Sequence, residues 1–497
     1  MPISDLPTKR ICIVGAGPCG LIALQVILDS PEFRNGRWMP TVFEAREGLG
    51  GIWNPASAMN STDPPLSPIY DSMTTNIPHP VMAYNAFPFP HSTPLFPPAS
   101  TVQRYLEAFA SHFHLRPHIH LNTTVEDAKW DKKRCVWQIR TRKTHTTTEL
   151  LFDYLIVANG HFRKPRFPDI SGLSAWVEAR KAYHSAWYRR PSDVTLSDAT
   201  KVLVMGNGPS GMDISAELAL NRKTVIQSTN GAVPSSGESA KHGAIARFDD
   251  VVSGTVVFED GTTEKNVDKV ILCTGYEFDI PFLSSIVKNS RLSIPESADD
   301  VDPTALHSMI QNSSYHLYPL AKHIFPLIER TVPSTRLAFM GLLLRGTPFS
   351  LFEAQAHAIV SVFRDPHLLD IDKELTEVSK KHNQLIGHYG MMKRLTVESA
   401  KDWHRPTEPE SFVYRDTLYE LAGSKMRVTG WEKDMWKWKV ELRKEWKRLE
   451  ERGESGLWVN GVGEALHSQE GWVRLMYRIL DMARVETKQV VRPNDDP

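Results

Sequence analysis

"IVGAGPCGLIAL" occupies residues 13–24 and "VMGNGPSGMDI" residues 204–214. Both carry the G-x-G-x-x-G spacing, in Gly15, Gly17 and Gly20 and again in Gly206, Gly208 and Gly211. Each follows a short apolar run, Ile11–Val14 or Val202–Met205. Each runs into a helix-like pattern: Leu21, Leu24, Ile27 and Leu28 after the first, Met212, Ile214, Leu218 and Ala219 after the second. Strand, turn, helix is the context a dinucleotide-binding turn requires. With glycine at about 7% of residues, about 0.15 such spacings arise by chance in a chain this long. Two in context therefore indicate two dinucleotides.

A second repeat runs in step with the first. "FDYLIVANG" (152–160) and "VDKVILCTG" (267–275) each read as an acid, an apolar strand and a small turn ending in glycine. Each is preceded by a hairpin-like stretch, "RCVWQIRTRKTHTTTELL" or "VVSGTVVFEDGTTEKN", the latter with Asp260-Gly261 as its turn. The expected fold is α/β: two Rossmann-like doubly wound domains, each with a small antiparallel β insertion. Residues 54–100 are rich in Pro and Ser with little periodicity, yet carry many aromatic residues, so they read as a packed loop. The last hundred residues are Trp-rich and read as a helical extension, with Trp431, Met435, Trp438, Leu442 and Leu449 near one face.

The 497 residues suffice for two or three domains, and their formal net charge of zero gives no support to a nucleic-acid partner. Cys12, Cys19, Cys135 and Cys273 form no C-x-x-C pair. That argues against a disulfide framework, a cysteine zinc site and disulfide-reductase chemistry, and fits a reducing compartment. The polar N-terminal stretch leaves no room for a signal peptide, no apolar run is long enough to span a bilayer, and the expected location is cytoplasmic. "SHFHLRPHIHL" (111–121) holds four histidines but no completing carboxylate or cysteine, so no metal is expected. No motif encodes an oligomeric state.

At each turn the first glycine permits the bend, the second admits a pyrophosphate to the backbone amides, and the third lets helix and strand pack closely. The helix N-terminus then faces the phosphates. Glu44 closes the strand after the first turn, in "TVFEAR". A carboxylate there accepts hydrogen bonds from ribose hydroxyls and repels a 2′-phosphate, which selects FAD or NAD over NADP. "EGLGGIW" (47–53) adds Gly50 and Gly51 for close approach and Trp53 as a flat apolar face. At the corresponding strand end after the second turn, "KTVIQSTNG" (223–231), no acid stands. Ser228, Thr229 and Asn230 offer neutral hydrogen bonds there, and Arg222 and Lys223 are close in sequence. This favours NADP over NAD, modestly unless Arg222 or Lys223 folds back.

From about residue 9 to about residue 365 the chain resembles class B flavin-containing monooxygenases, of the group that oxygenates soft nitrogen and sulfur nucleophiles. The resemblance rests on "GAGPCG", "EGLGGIW", "IYDSMTTNIPHPVMAYNAFPFP", "ANGHFRKPRFPDI", "GNGPSG", "CTGYEFDIPFL" and "LAFMGLLLRGTPFSLFEAQA", in that order. It implies FAD on Gly15, Ala16, Gly17, Pro18, Cys19, Gly20, Glu44, Gly51, Ile52, Trp53, Thr75, Asn76 and Val125. It implies NADPH on Gly206, Gly208, Pro209, Ser210, Gly211, Ser228, Thr229 and Asn230. Asn76, beside the flavin ring and the nicotinamide, is the catalytic candidate. The expected domains are residues 1–172 (FAD, first part), 173–330 (NADPH), 331–400 (FAD, return) and 401–497 (helical extension). The implied reaction is NADPH- and O2-dependent oxygenation of a small-molecule nitrogen or sulfur centre through a C4a-hydroperoxyflavin. A Baeyer–Villiger enzyme and a non-enzymatic dinucleotide sensor are the alternatives. In "EARKAYHSAWYRR" His184, Ser185 and Tyr188 match the family's linker motif. Glu178 and Arg180 replace its Phe and Gly, and Asn230 stands where an Arg is usual. The sister Baeyer–Villiger group would show Trp where Tyr188 stands.

Overall fold

Each glycine turn sits where a buried parallel strand hands over to a helix. A computed structural model describes residues 7–57, 63–193, 195–229, 240–289, 308–389, 395–464 and 468–490. Around the first turn, β1 (Lys9–Val14) is the middle of a parallel sheet with β2 (Trp38–Phe43), β3 (Ile119–His120), β7 (Tyr154–Val157) and β18 (Leu337–Phe339), in the order β18-β7-β1-β2-β3. Around the second, β10 (Lys201–Met205) is flanked by β11 (Thr224–Ser228) and β16 (Lys269–Leu272), with β12 (Ala240–His242) and β9 (Ala182–His184) outside, also all parallel. Continuous apolar strands such as Ile11–Val14, buried along their whole length, are what a sheet covered on both faces demands. The two hairpin-like stretches form antiparallel sheets: β4 (Thr123–Asp131) with β5 (Val136–Lys143) and β6 (Thr146–Phe152), and β13 (Ile245–Phe248) with β14 (Val256–Phe258) and β15 (Thr263–Glu264).

The duplication extends to single hydrogen bonds. Gly15 N–H donates to Phe43 O and Gly206 N–H to Ser228 O, both at 2.8 Å. Glu44 N–H donates to His120 O at 3.0 Å, and Thr229 N–H to His242 O at 3.1 Å. Ala158 N–H meets Val14 O at 2.9 Å, and Cys273 N–H meets Met205 O at 2.8 Å. The repeated acids cap the sheets alike: Asp153 accepts from Arg10 N–H and Asp268 from Lys201 N–H. In this register Thr229, not Ser228, stands in the place of Glu44.

The chain divides into two units, Met1–Asn54 with Thr74–Gly160 and Ile280–Pro497, and Pro55–Met73 with His161–Asp279. These bounds differ from the expected breaks at 172/173, 330/331 and 400/401. Residues 55–73 belong with the second sheet because Tyr70 OH bonds Asp213 at 2.8 Å and Arg189 holds the carbonyls of Ala56 and Ser67. β8 (Lys164–Pro165) joins it by pairing with β17 (Tyr276–Glu277). Residues 280–289 and 308–330 belong with the first sheet: Ile324, Phe325 and Leu327 lie in its core, and Phe339 N–H bonds Ile324 O. The C-terminal helices are no separate body either. Met435, Leu442, Trp446, Trp472 and Ile479 share one apolar cluster with Val81, Leu95 and Phe96 of the proline-rich loop. The expected single Trp-rich helix is two, Gly430–Lys437 and Lys439–Glu451, broken at Trp438. Its apolar face is real: Met435, Leu442 and Leu449 are buried. The proline-rich loop is packed as expected, with Tyr70, Ile77, Tyr84, Phe89 and Phe96 all buried. No helix among the described residues is long and apolar enough to cross a membrane.

Candidate functional site

The three glycines of each turn are required for different reasons. Gly15 and Gly206 have φ of +103° and +114°, and a Cβ on either would sit 2.6 or 2.5 Å from the carbonyl oxygen of Ala158 or Cys273, just past the end of the neighbouring strand. A Cβ on Gly20 or Gly211 would lie 1.9 or 2.1 Å from the carbonyl of Gly15 or Gly206, where the helix closes on its own turn. The middle glycines diverge. Gly17 backs onto Gly51, whose Cα would be 3.4 Å from an added Cβ, whereas Gly208 faces open space.

That difference continues around the two turns. Gly50 N–H bonds Ala16 O at 2.9 Å, so the "EGLGGIW" turn covers the first glycine turn. Arg46 fastens that turn through the carbonyls of Gly51 and Asn54, and Gln103 through that of Leu49. Ile52 and Trp53 follow in a 3-10 turn, half-buried. Tyr84 OH reaches Pro18 O at 2.7 Å, and Cys19 packs against Gly341, with its thiol pushed well up by burial. Around the second turn Asn207, Gly208 and Pro209 are exposed and Ser210 is half-buried. Both helices, Pro18–Asp29 and Pro209–Leu220, start at a glycine without a side-chain cap or an acid in the first turn. Their first amides are thus left for an anionic ligand.

Glu44 is 6% exposed, and its carboxylate is already engaged: Oε2 accepts from Ala16 N–H at 2.7 Å and Oε1 from Arg46 N–H at 2.9 Å. Each carboxylate oxygen retains a lone pair for a ribose hydroxyl. β4 starts beside it, through Thr123 N–H to Glu44 O at 2.8 Å, which places Val125 two residues from this strand end. These residues fit an adenine dinucleotide: uncapped amides, a cradle that a Cβ would fill, and a carboxylate at the ribose end.

The second strand end is arranged differently from the first. Ser228 lies inside β11, and its hydroxyl hydrogen is donated to Gly243 O at 2.8 Å, which leaves the oxygen as an acceptor alone. Arg222 and Lys223 precede β11, at the end away from Thr229, a strand's length of about 16 Å. Lys223 is held there by the carbonyls of Leu196 and Ala199 and cannot fold back. Asn230 lies outside the described residues. A cation that the sequence reading did not single out, Lys241 on β12, pairs in backbone register with Gln227 of β11. Nothing in the sequence singles it out, because β12 begins nine residues beyond the end of "KTVIQSTNG" and has no periodicity of its own.

Asn76 sits on a clamped bend. Thr75 is buried, donating its hydroxyl to Ile77 O at 2.9 Å and its amide to Pro97 O at 3.0 Å. Ile77 is buried as well, and between the two Asn76 is exposed. Thr75 therefore shapes the bend rather than presenting its hydroxyl. In the linker, Arg180 adopts φ +55°, the left-handed conformation that the family's glycine would take freely. His184 donates Nε2–H to Gly275 O at 2.9 Å and accepts Ala186 N–H at Nδ1; burial lowers its pKa to about 4, against the Gly275 bond. Tyr188 OH bonds Glu217 on the second glycine helix at 2.6 Å, one turn along from the Tyr70–Asp213 bond. Of the histidine-rich stretch, His118 packs on Phe33, and no group of three metal-ligating side chains occurs among the described residues.

A family profile described as FMO-like, flavin-binding monooxygenase-like, matches residues 8–245 and 242–296. The chain belongs to that family. It is a flavin-dependent monooxygenase, and its relatives include a thiol-specific monooxygenase of Saccharomyces cerevisiae, 29% identical over 73% of this chain and 78% of the relative. Flavin-containing monooxygenase FMO GS-OX-like 9 of Arabidopsis thaliana is 30% identical over 71% of this chain and 75% of its own length. The fold is that of S-allyl-L-cysteine S-oxygenase from Allium sativum, with a TM-score of 0.68 at 23% identity, covering 98% of this chain and 100% of that one. Family membership gives this monooxygenase a flavin cofactor, a substrate and oxygen as co-substrate.

Proposed function

We propose that this monooxygenase holds FAD on the first glycine turn and NADPH on the second, and oxygenates a sulfur or nitrogen centre of a small molecule. The observation that carries the assignment is the divergence of two otherwise superimposable turns. The first is roofed by the Gly50–Trp53 turn and ends at a carboxylate, which suits a dinucleotide that stays bound. The second is open at Gly208 and ends at Thr229, which suits one that exchanges and carries a 2′-phosphate.

When bound, the flavin supplies the redox and oxygen chemistry, with NADPH as the electron donor. The chain binds, orients and excludes water. Glu44 orders the first turn through Ala16 and Arg46 and receives the ribose. The amides at the start of Pro18–Asp29 and Pro209–Leu220 receive the pyrophosphates. Asn76, pressed outward by its buried neighbours, supplies an amide that both donates and accepts. No acid–base dyad is required of the protein. Sulfur or nitrogen chemistry is supported by Tyr188 at the linker position and by a relative named for thiols.

Asn76→Ala should retain flavin but release hydrogen peroxide in place of product. Undiminished coupling in that variant would remove Asn76 from the role assigned to it. Oxygen uptake with NADPH across thioethers, thiols, amines and ketones tests the substrate class. Turnover with a thioether, thiol or amine is expected, and turnover confined to ketones would overturn it.

A further inference from the structure

We propose that Lys381 is held as an uncharged amine and forms a site for covalent capture of small apolar aldehydes, independently of the flavin reading. Hydrogen-bond polarity leads to this assignment. His404, fully buried, accepts Leu317 N–H at Nε2 at 3.1 Å, so its ring proton is on Nδ1. That Nδ1–H lies 3.0 Å from Nδ1 of His323, which must therefore accept. His323 then carries its own proton on Nε2, 3.2 Å from Lys381 Nζ. An ammonium has three donors and no lone pair, so it would set donor against donor; an amine accepts.

The groups around Lys381 come from several elements. It lies half-buried on the helix Ile371–Tyr389. Burial lowers its pKa, and Glu410 opposes this less strongly. The Trp403 ring, 5.3 Å from Nζ, favours the cation. His382, next on the same helix, has its pKa lowered by burial, and Tyr414, 5.9 Å from the His323 ring, is driven upward. Lys322 takes Glu374 for itself at 2.7 Å. Trp403, Tyr318 and His382 pack ring against ring, which gives the site an apolar wall. The chemistry is that of an unprotonated amine: its lone pair, turned away from the His323 Nε2–H by rotation of the flexible side chain, adds to the carbonyl carbon, and both amine hydrogens leave with the carbonyl oxygen as water, giving an imine.

Two measurements on the full-length protein decide the matter. In protein labelled with 15N-lysine, the Nζ resonance lost in Lys381→Met is expected at the amine position at pH 7; an ammonium resonance there overturns the proposal. Propionaldehyde with cyanoborohydride at pH 7, followed by peptide mass mapping, is expected to alkylate Lys381 on the order of tenfold faster than exposed lysines. Alkylation of Lys381 no faster than those lysines overturns the capture site even if the amine is found.

Discussion

At the scale of single residues, the glycines separate folding from binding. Gly211→Ala drives a methyl into the Gly206 carbonyl and should cost about 1–3 kcal/mol of stability, read by denaturant unfolding. Gly208→Ala meets no atom within 4 Å and keeps ordinary φ and ψ of −68° and 178°. Its stability should change by less than about 0.5 kcal/mol, while NADP+ binding weakens about tenfold. Thr229→Glu restores the acid at the ribose end and should lower the NADP+/NAD+ affinity ratio about tenfold, by titration calorimetry. Arg180→Gly should be neutral or stabilising by up to about 1 kcal/mol, since arginine holds a left-handed φ there. Glu44 was legible from the sequence because an acid after a strand is a local signal. The second strand end was legible only to within one residue. Register, not composition, decides that Ser228 faces inward and Thr229 replaces Glu44.

At the scale of elements, the helix Pro348–Arg364 pins the proline-rich loop. Its buried Glu353 accepts Asn85 N–H at 2.7 Å, and Asn85 in turn bonds Tyr419. Burial raises the Glu353 pKa to about 7 from 4.5, against the Asn85 amide and Arg415. A carboxyl raised on folding contributes stability that is present below its unfolded pKa and lost as pH rises through its folded one. Stability should therefore fall between about pH 4.5 and 7 by up to about 3 kcal/mol, and Glu353→Gln should flatten that fall in pH-dependent unfolding. The strands and glycine helices could be read from the sequence because period and turn chemistry agree there. The break at Trp438 could not, because no Pro or Gly marks it, and tertiary packing ends one helix and starts the next.

At the scale of the whole molecule, the two sheets are a duplicated plan whose connecting segments are exchanged. Residues 63–73 clasp the second glycine helix through Tyr70, and residues 308–330 join the first core through Ile324 and Phe325. The described parts of these segments carry no periodicity that marks where the units part. Tyr188→Phe, which removes the second clasp at Glu217, should cost about 1–2 kcal/mol in thermal or denaturant unfolding and leave flavin content unchanged. On the proposed assignment the first turn keeps flavin while the second exchanges nicotinamide. The decisive measurement is anaerobic stopped-flow reduction of the purified protein over a range of NADPH concentrations, following the flavin absorbance in wild type and Gly208→Ala. Both proteins should carry equal flavin, with the variant needing about tenfold more NADPH for its half-maximal rate of flavin reduction. Loss of flavin from Gly208→Ala, or the same NADPH dependence in both proteins, would contradict it.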